Sequence, residues 1–573
     1  MPADDRRAER PDLEAPTAHG SALTSGPAPG AREISPLRPA DGVQRFQTPR
    51  RAGILLHPTA LPGPHGIGDL GPGAHRFLDW LHDAGQSVWQ MLPLGPPAAH
   101  GVPYSALSSH ALNPALVALE PLVEAGWLEA SDLEPPSEVA GDGRAVAFGR
   151  VGPWKRERLR RAFDQFRALP GALGEEHVRF VGENPWLATW ELFVVARARH
   201  GGRPWWRWPK ALRRREPDAL DALRRDTVDE RACERFIQWL AHRQLAALRA
   251  AARSRGIVLM GDLPIYVARD SVDVWSYPDL FDLEDDGAPR HVAGVPPDAF
   301  SDDGQLWGNP LYRWSRHADE GFAWWTERLR AALAAFDLLR LDHFRAFSAY
   351  WQVPADAQTA RDGRWVEGPG LEFFRAIERA LDAPALVAED LGDIDEAVHV
   401  LRRAAGLPGM RVLQFGFEDE PNLHSPHRHA EDCVVYSGTH DNDTARGWYD
   451  TLDQAARDRF ERVASLDRLP ATERAEHAAD ALVRLALGSV ARLSIVPLQD
   501  VLGLDSSARF NRPGEARGWW RWRLASDQLD EASAARLRAL TRLFERLSTS
   551  TAPAPAAAPA AEPNTTIGEA LDC

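Results

Sequence analysis

Three acidic residues end short apolar runs. FDLLRL precedes Asp342, ALVA precedes Glu389, and CVVYSGTH precedes Asp441. Successive members of the trio are about fifty residues apart, too far for local contact, so only the fold can gather them. Two carboxyl groups about 5 to 5.5 Å apart make a retaining glycosidase site, in which one attacks and the other shuttles a proton. A third steadies positive charge at the sugar ring. Asp342 suits the nucleophile, because Arg340 lies two residues away on the same strand face and favours the ionised form. Glu389, next to an apolar run and close to other negative charge, suits the protonated acid. The competing view of Arg340 and Asp342 is a structural ion pair closing the mouth of a barrel. A metal site is the rival for clustered Asp, Glu and His, but there is no HExxH and no paired-His spacing. Neither a metal nor a cofactor is expected.

Carboxylates this far apart meet only if strands carry them to one end of a sheet. Eight apolar runs fit that need: 52–58, 87–96, 256–265, 336–344, 385–392, 410–417, 433–441 and 493–500. Most are apolar nearly throughout, as parallel strands covered on both faces must be. Helical stretches mostly follow them, which predicts a (β/α)8 barrel with its chemistry at the C-terminal strand ends; an open doubly wound sheet is the alternative. The strand ends then hold His57, Asp262, Asp342, Glu389, Gln414, Asp441, Gln499 and Asp500. The catalytic unit spans 49–548. Within it, a helical insertion is expected over about 97–255 and a loop-and-helix insertion over about 266–335. Residues 1–48 and 549–573, rich in Ala, Pro and polar residues, are expected to be disordered.

The chain has 21 tryptophans, most of them expected in the core. Trp307 stands out because it lies in a Gly-, Pro- and Asp-rich segment expected to be a loop, where an aromatic face serves binding. Tyr104, after the second strand, invites the same interpretation. GPHGIGDLG (63–71) lacks the full dinucleotide-binding pattern.

The formal charge of −15 speaks against a nucleic-acid partner. Lys155 and Lys210 are the only lysines, a bias that looks compositional rather than functional. The three cysteines, Cys233, Cys433 and Cys573, fit neither a disulfide framework nor a zinc site. No apolar run reaches the roughly 20 residues that span a bilayer, and the N-terminus lacks the apolar stretch of a secretory signal. A cytoplasmic location without membrane association is expected.

Ten segments in order resemble the 4-α-glucanotransferases of the amylomaltase or disproportionating-enzyme type, glycoside hydrolase family 77. They begin with GILLHPTALPGPHGIGDLG, WQMLPLGP and PYSALSSHALNP. GDLPIYVARDSVDVW, GVPPDAFSDDGQLWGNPLYRW and LRLDHFRAF follow, and VAEDLG, GMRVLQFGF, YSGTHDNDTARGWY and PLQDVLGLDSSARFNRPG complete the set. The resemblance places the nucleophile on Asp342, the acid/base on Glu389 and the transition-state stabiliser on Asp441. It implies substrate contacts from Arg340, His343 and His440, and from Tyr104, Asp262 and Asn511. The segment bearing Asp298, Gln305 and Trp307 would close over the acceptor. The implied substrates are α-1,4-glucans (maltooligosaccharides, amylose, glycogen-derived chains), with glucose as an acceptor. Rival activities are an amylase-like hydrolase, an inactive glucan-binding protein and a metal-dependent barrel enzyme. Four positions depart from the family pattern: Val102, Ala299, Gln352 and Glu367. They bear on product size rather than on the reaction.

Overall fold

Every one of the eight apolar runs overlaps a strand, and the strands of the first and sixth runs begin one residue earlier than the run. The computed structural model describes residues 50–548 apart from 99–100, 169–170, 298–300, 419–421 and 516. Asp298, Ala299 and the terminal stretches 1–48 and 549–573 therefore lie outside the described residues. In chain order the strands are β1 (Arg51–Leu55), β2 (Val88–Gln90), β3 (Val258–Leu263), β4 (His291–Val295), β5 (Gln305–Pro310) and β6 (Leu338–Leu341). After them come β7 (Ala349–Pro354), β8 (Arg364–Glu367), β9 (Leu386–Ala388), β10 (Gly409–Val412), β11 (Cys433–Tyr436) and β12 (Leu493–Pro497).

Eight of these pair in parallel in the order β10-β11-β12-β1-β2-β3-β6-β9. The ends of that row meet where the Ala388 N–H donates to the Pro408 carbonyl at 2.9 Å, giving a nearly closed (β/α)8 barrel. The strands are buried on both faces, which is why they read as unbroken apolar runs. One close approach between them requires glycine. A Cβ at Gly53 would lie 2.6 Å from both the Val88 Cβ and the Val88 carbonyl oxygen across the β1–β2 ladder.

The helices covering the strands present apolar faces to them. Helix Pro72–Asp83 buries Phe77, whose ring meets Trp89 of β2 edge-on at 4.8 Å. Helix Val228–Ser254 packs on Pro72–Asp83 and on β3, so the last part of the stretch counted as an insertion belongs to the barrel's helical layer. Ahead of it, Phe148–Ala168, Gly171–Glu183 and Leu187–Arg199 are the longest helices of that stretch. Lys155, fully buried, ties helix Phe148–Ala168 to the segment after β1 by donating to Asp69 Oδ2 at 2.8 Å, and to the start of its own stretch through the carbonyls of Ala115 (2.9 Å) and Val117 (2.8 Å).

The remaining strands form a separate antiparallel sheet in the order β5-β4-β7-β8. This corrects the expectation for Trp307, which stands on edge strand β5 and not in a loop. Three consecutive residues of β5, Leu306, Trp307 and Gly308, are exposed. An edge strand without alternating burial leaves no period-two signal to find. No described helix is long and apolar enough to cross a membrane.

Candidate active site

Strand register explains the charge at the end of β6. Asp262 on β3 lies directly across from Arg340 on β6, so their side chains share one face. Arg340 Nη1 is 2.8 and 2.9 Å from the two carboxylate oxygens of Asp262 and 2.9 Å from Asp342 Oδ1. Its Nη2 is 3.9 Å from Glu389 Oε2. One guanidinium thus ties three carboxylates from three strand ends. Burial alone would lower the Arg340 pKa, but Asp262, Tyr104, Asp342 and Glu389 together outweigh it, so the group stays charged. The Tyr104 hydroxyl donates to Asp262 Oδ2 at 2.7 Å. Burial chiefly raises the Tyr104 pKa, with Asp262 adding to the shift, and keeps that proton in place.

The ends of β6 and β9 are interlocked through backbone groups. The Glu389 N–H donates to the Leu341 carbonyl at 3.0 Å, and the Phe344 N–H donates to the Glu389 carbonyl at 3.1 Å. His343 takes the left-handed conformation, φ 49°, which an unbranched residue enters only at some cost. Its N–H donates to Glu389 Oε2, and the Leu391 N–H donates to Oε1 at 3.2 Å. Burial is the main cause that pushes Glu389 up to about 8, and the Asp342 charge adds to it against Arg340 and the two N–H groups. A carboxyl held protonated at neutral pH beside an Arg-paired carboxylate has the make-up of a candidate general acid next to a candidate nucleophile.

Asp441 reaches the same mouth from the segment after β11. Asn511 Nδ2 donates to Asp441 Oδ1 at 2.6 Å, and Arg509 Nη2 donates to the Asp441 carbonyl at 2.9 Å. His440 Nε2 is 3.4 Å from Asp441 Oδ2. The His440 ring stacks on Tyr104 at 5.3 Å, which links Asp441 to the Asp262–Arg340 group, and Trp520 packs against both rings. Side-chain exposure rises from 10% at Glu389 through 24% at Asp342 to 43% at Asp441. The candidate acid is therefore the driest of the three, and the candidate stabiliser is the wettest.

His343 sits edge-on to Trp307 with ring centroids 4.8 Å apart, and Trp307 Nε1 donates to Gln305 Oε1 at 3.2 Å. Burial lowers His343 to about 4, so the ring is neutral, and its buried Nε2 has no protein partner. Tyr104, Asp262, Arg340, His343, His440, Gln305 and Trp307 thus join the three carboxylates through a chain of direct contacts. Asn511, expected to touch substrate, spends its side-chain amide on Asp441. Asp298 lies outside the described residues. Of the other strand-end residues, Gln414 donates to the Asp443 carbonyl and Asp500 accepts from Ser437 and the Ala445 N–H. Both brace the loop that carries Asp441. His57 lines a cavity with Leu92, His440, Arg509 and Phe510 at the same end.

Two contributors escaped the sequence pattern. Trp520, with a left-handed φ of 68°, sits in a Trp-rich segment otherwise suited to core packing, and Arg509 works through its contact with a backbone carbonyl. Of the positions departing from the family pattern, Gln352 accepts from Arg364 at 3.0 Å, Glu367 is exposed at the end of β8, and Val102 packs against the core. Among the described residues one trio, His65, Asp69 and Glu120, brings possible metal ligands within 4.8 Å of one another. The Lys155 ammonium already supplies the cation there.

Known proteins resemble the chain over nearly all of this unit. The family profile described as 4-alpha-glucanotransferase matches residues 56–529. The 4-alpha-glucanotransferase of Thermus thermophilus is 45% identical over 509 residues, covering 88% of this chain and 100% of that protein. The Synechocystis 4-alpha-glucanotransferase is 43% identical, covering 87% and 98%. The solved amylomaltase from Streptococcus agalactiae in complex with acarbose superposes with a TM-score of 0.83 at 34% identity, covering 87% of this chain and 100% of that one. Barrel fold and similarity over most of the chain agree: the chain belongs to the 4-α-glucanotransferase family, glycoside hydrolase family 77.

Proposed function

We propose that the chain transfers a segment of an α-1,4-glucan to the 4-hydroxyl of another glucan or of glucose, with Asp342, Glu389 and Asp441 carrying the reaction. The observation that supports this best is the shared guanidinium of Arg340, bonded to Asp342 and near Glu389, while Glu389 is held protonated. Asp342 attacks the anomeric carbon as the glycosidic C–O bond breaks, and the Glu389 proton passes to the departing oxygen. Asp342 is then an ester and has lost its charge. That removes one of the causes raising Glu389, whose carboxylate now takes the proton of an acceptor 4-hydroxyl. The acceptor oxygen attacks the same carbon, the ester bond breaks, and two inversions restore the α-linkage. Asp441, held by Asn511 and Arg509, faces the positive charge that develops at the ring in both steps.

The bond broken is replaced by one of the same kind, so no nucleotide sugar or cofactor takes part. Neutral His343 with its free Nε2 suits a sugar hydroxyl, as do His440 and the Tyr104–Asp262 pair. Exposed Trp307 offers a stacking face on the acceptor side. Donors are maltooligosaccharides, amylose or glycogen-derived chains.

Incubation with maltotriose tests the reaction. Glucose should appear together with maltopentaose and longer chains. Shortening without any longer product would establish the amylase-like hydrolase instead, and activity abolished by a chelator would establish a metal-dependent barrel enzyme.

A further inference from the structure

We infer that Asp390, the residue after Glu389, is a positioning residue that closes the barrel where strand pairing fails and thereby holds Glu389 in place; this rests on Glu389 being the acid/base. Strand β9 is three residues long and forms a ladder only with β6. On its other side, β10 offers the single Ala388-to-Pro408 backbone bond, with no ladder beyond it. The Asp390 carboxylate takes over there. Its Oδ1 accepts the Met410 N–H at 2.7 Å, in the place where a strand carbonyl would otherwise serve. Arg411 Nη1 lies 3.2 Å from both carboxylate oxygens, Arg402 Nε is 3.3 Å from Oδ2, and His399 Nδ1 is 3.9 Å from Oδ2.

This side chain is completely enclosed. Gly409 makes room for it, since a Cβ at that position would lie 2.3 Å from Asp390 Oδ2 and 2.6 Å from Oδ1. Successive residues of an extended chain face opposite ways, so Asp390 grips β10 while Glu389 faces Arg340 and the backbone of His343. The β6 side of Glu389 is secured by the Leu341 and Phe344 backbone bonds. The β10 side is secured mainly by Asp390. Removing that carboxylate leaves two buried guanidiniums unbalanced and frees one flank of the segment carrying the acid.

A donor that needs no acid isolates the positioning role from general stability. Fluoride leaves an α-maltotriosyl fluoride without protonation, whereas maltotriose needs the Glu389 proton. Asp390→Ala should lower kcat/KM on maltotriose about tenfold or more, with a much smaller loss on the fluoride, the same selectivity expected of Glu389→Gln. Asp390→Asn, which keeps an oxygen for the Met410 N–H, should lose less. Gly409→Ala, which presses on the carboxylate, should reproduce the selective loss even if Asp390→Ala does not fold. Equal losses on both donors in Asp390→Asn and Gly409→Ala, or no loss in either, would overturn the proposal. A Glu389→Gln variant with no donor selectivity would instead overturn the acid/base assignment, and this inference with it.

Discussion

Glu389, the proposed acid/base, has a raised pKa, and that direction has a kinetic consequence. An acid acts only while protonated. Burial and the Asp342 charge move its titration from the ordinary carboxylate range up to about 8. kcat/KM on an unactivated glucan should therefore hold through neutral pH and fall as pH rises through about 8, because the carboxyl then loses the proton it must give. On α-maltotriosyl fluoride that alkaline limb should disappear. A limb near 4.5 on maltotriose would show that Glu389 is ionised at neutrality and is not the acid. The trio and Arg340 were legible in the sequence because strand-end position and period-two facing are short-range signals. The partners of Asp441 were not legible. Asn511 and Arg509 lie 70 and 68 residues further along, in irregular segments where no period fixes which side chains meet.

At the scale of elements, the eight barrel strands declare themselves because both faces are buried, whereas the antiparallel sheet stays hidden. Strand β5 shows three exposed residues in a row and β8 has no fully buried residue, so neither carries an alternating apolar pattern. Trp307 consequently stands on an edge strand, where it is 38% exposed and, among the described residues, meets the His343 edge, Gln305 and Tyr266. A side chain so placed contributes little to folding. Trp307→Ala should change stability by less than about 1 kcal/mol, measured by thermal unfolding. It should raise the acceptor KM and the share of hydrolysis relative to transfer, measured on maltotriose with added glucose. Unchanged partitioning between water and sugar would remove Trp307 from the acceptor side.

At the scale of the described molecule, the inserted helices share one apolar core with the barrel, and a buried polar group pins them at a defined point. The two lysines looked like a compositional accident in the sequence, yet Lys155 is fully buried with Asp69 and two loop carbonyls as its partners. Composition cannot distinguish such a residue from a surface one, because the partners come from loops 38 to 86 residues away. Lys155→Met would leave Asp69 buried without its cation and should cost about 3–5 kcal/mol of stability by denaturant unfolding, while turnover well below the melting temperature stays close to wild type. The barrel brings remote carboxylates to one end, and the proposed covalent intermediate would read out directly whether they act on one anomeric carbon. Glu389→Gln supplied with α-maltotriosyl fluoride loses fluoride without an acid but lacks the base that completes transfer, so the glycosyl–enzyme should accumulate. Peptide mass spectrometry should find one maltotriosyl group on the peptide containing Asp342, and none when Asp342→Asn is added. A sugar attached at Asp262 or Asp441, or a fluoride burst with no attached sugar, would contradict the account.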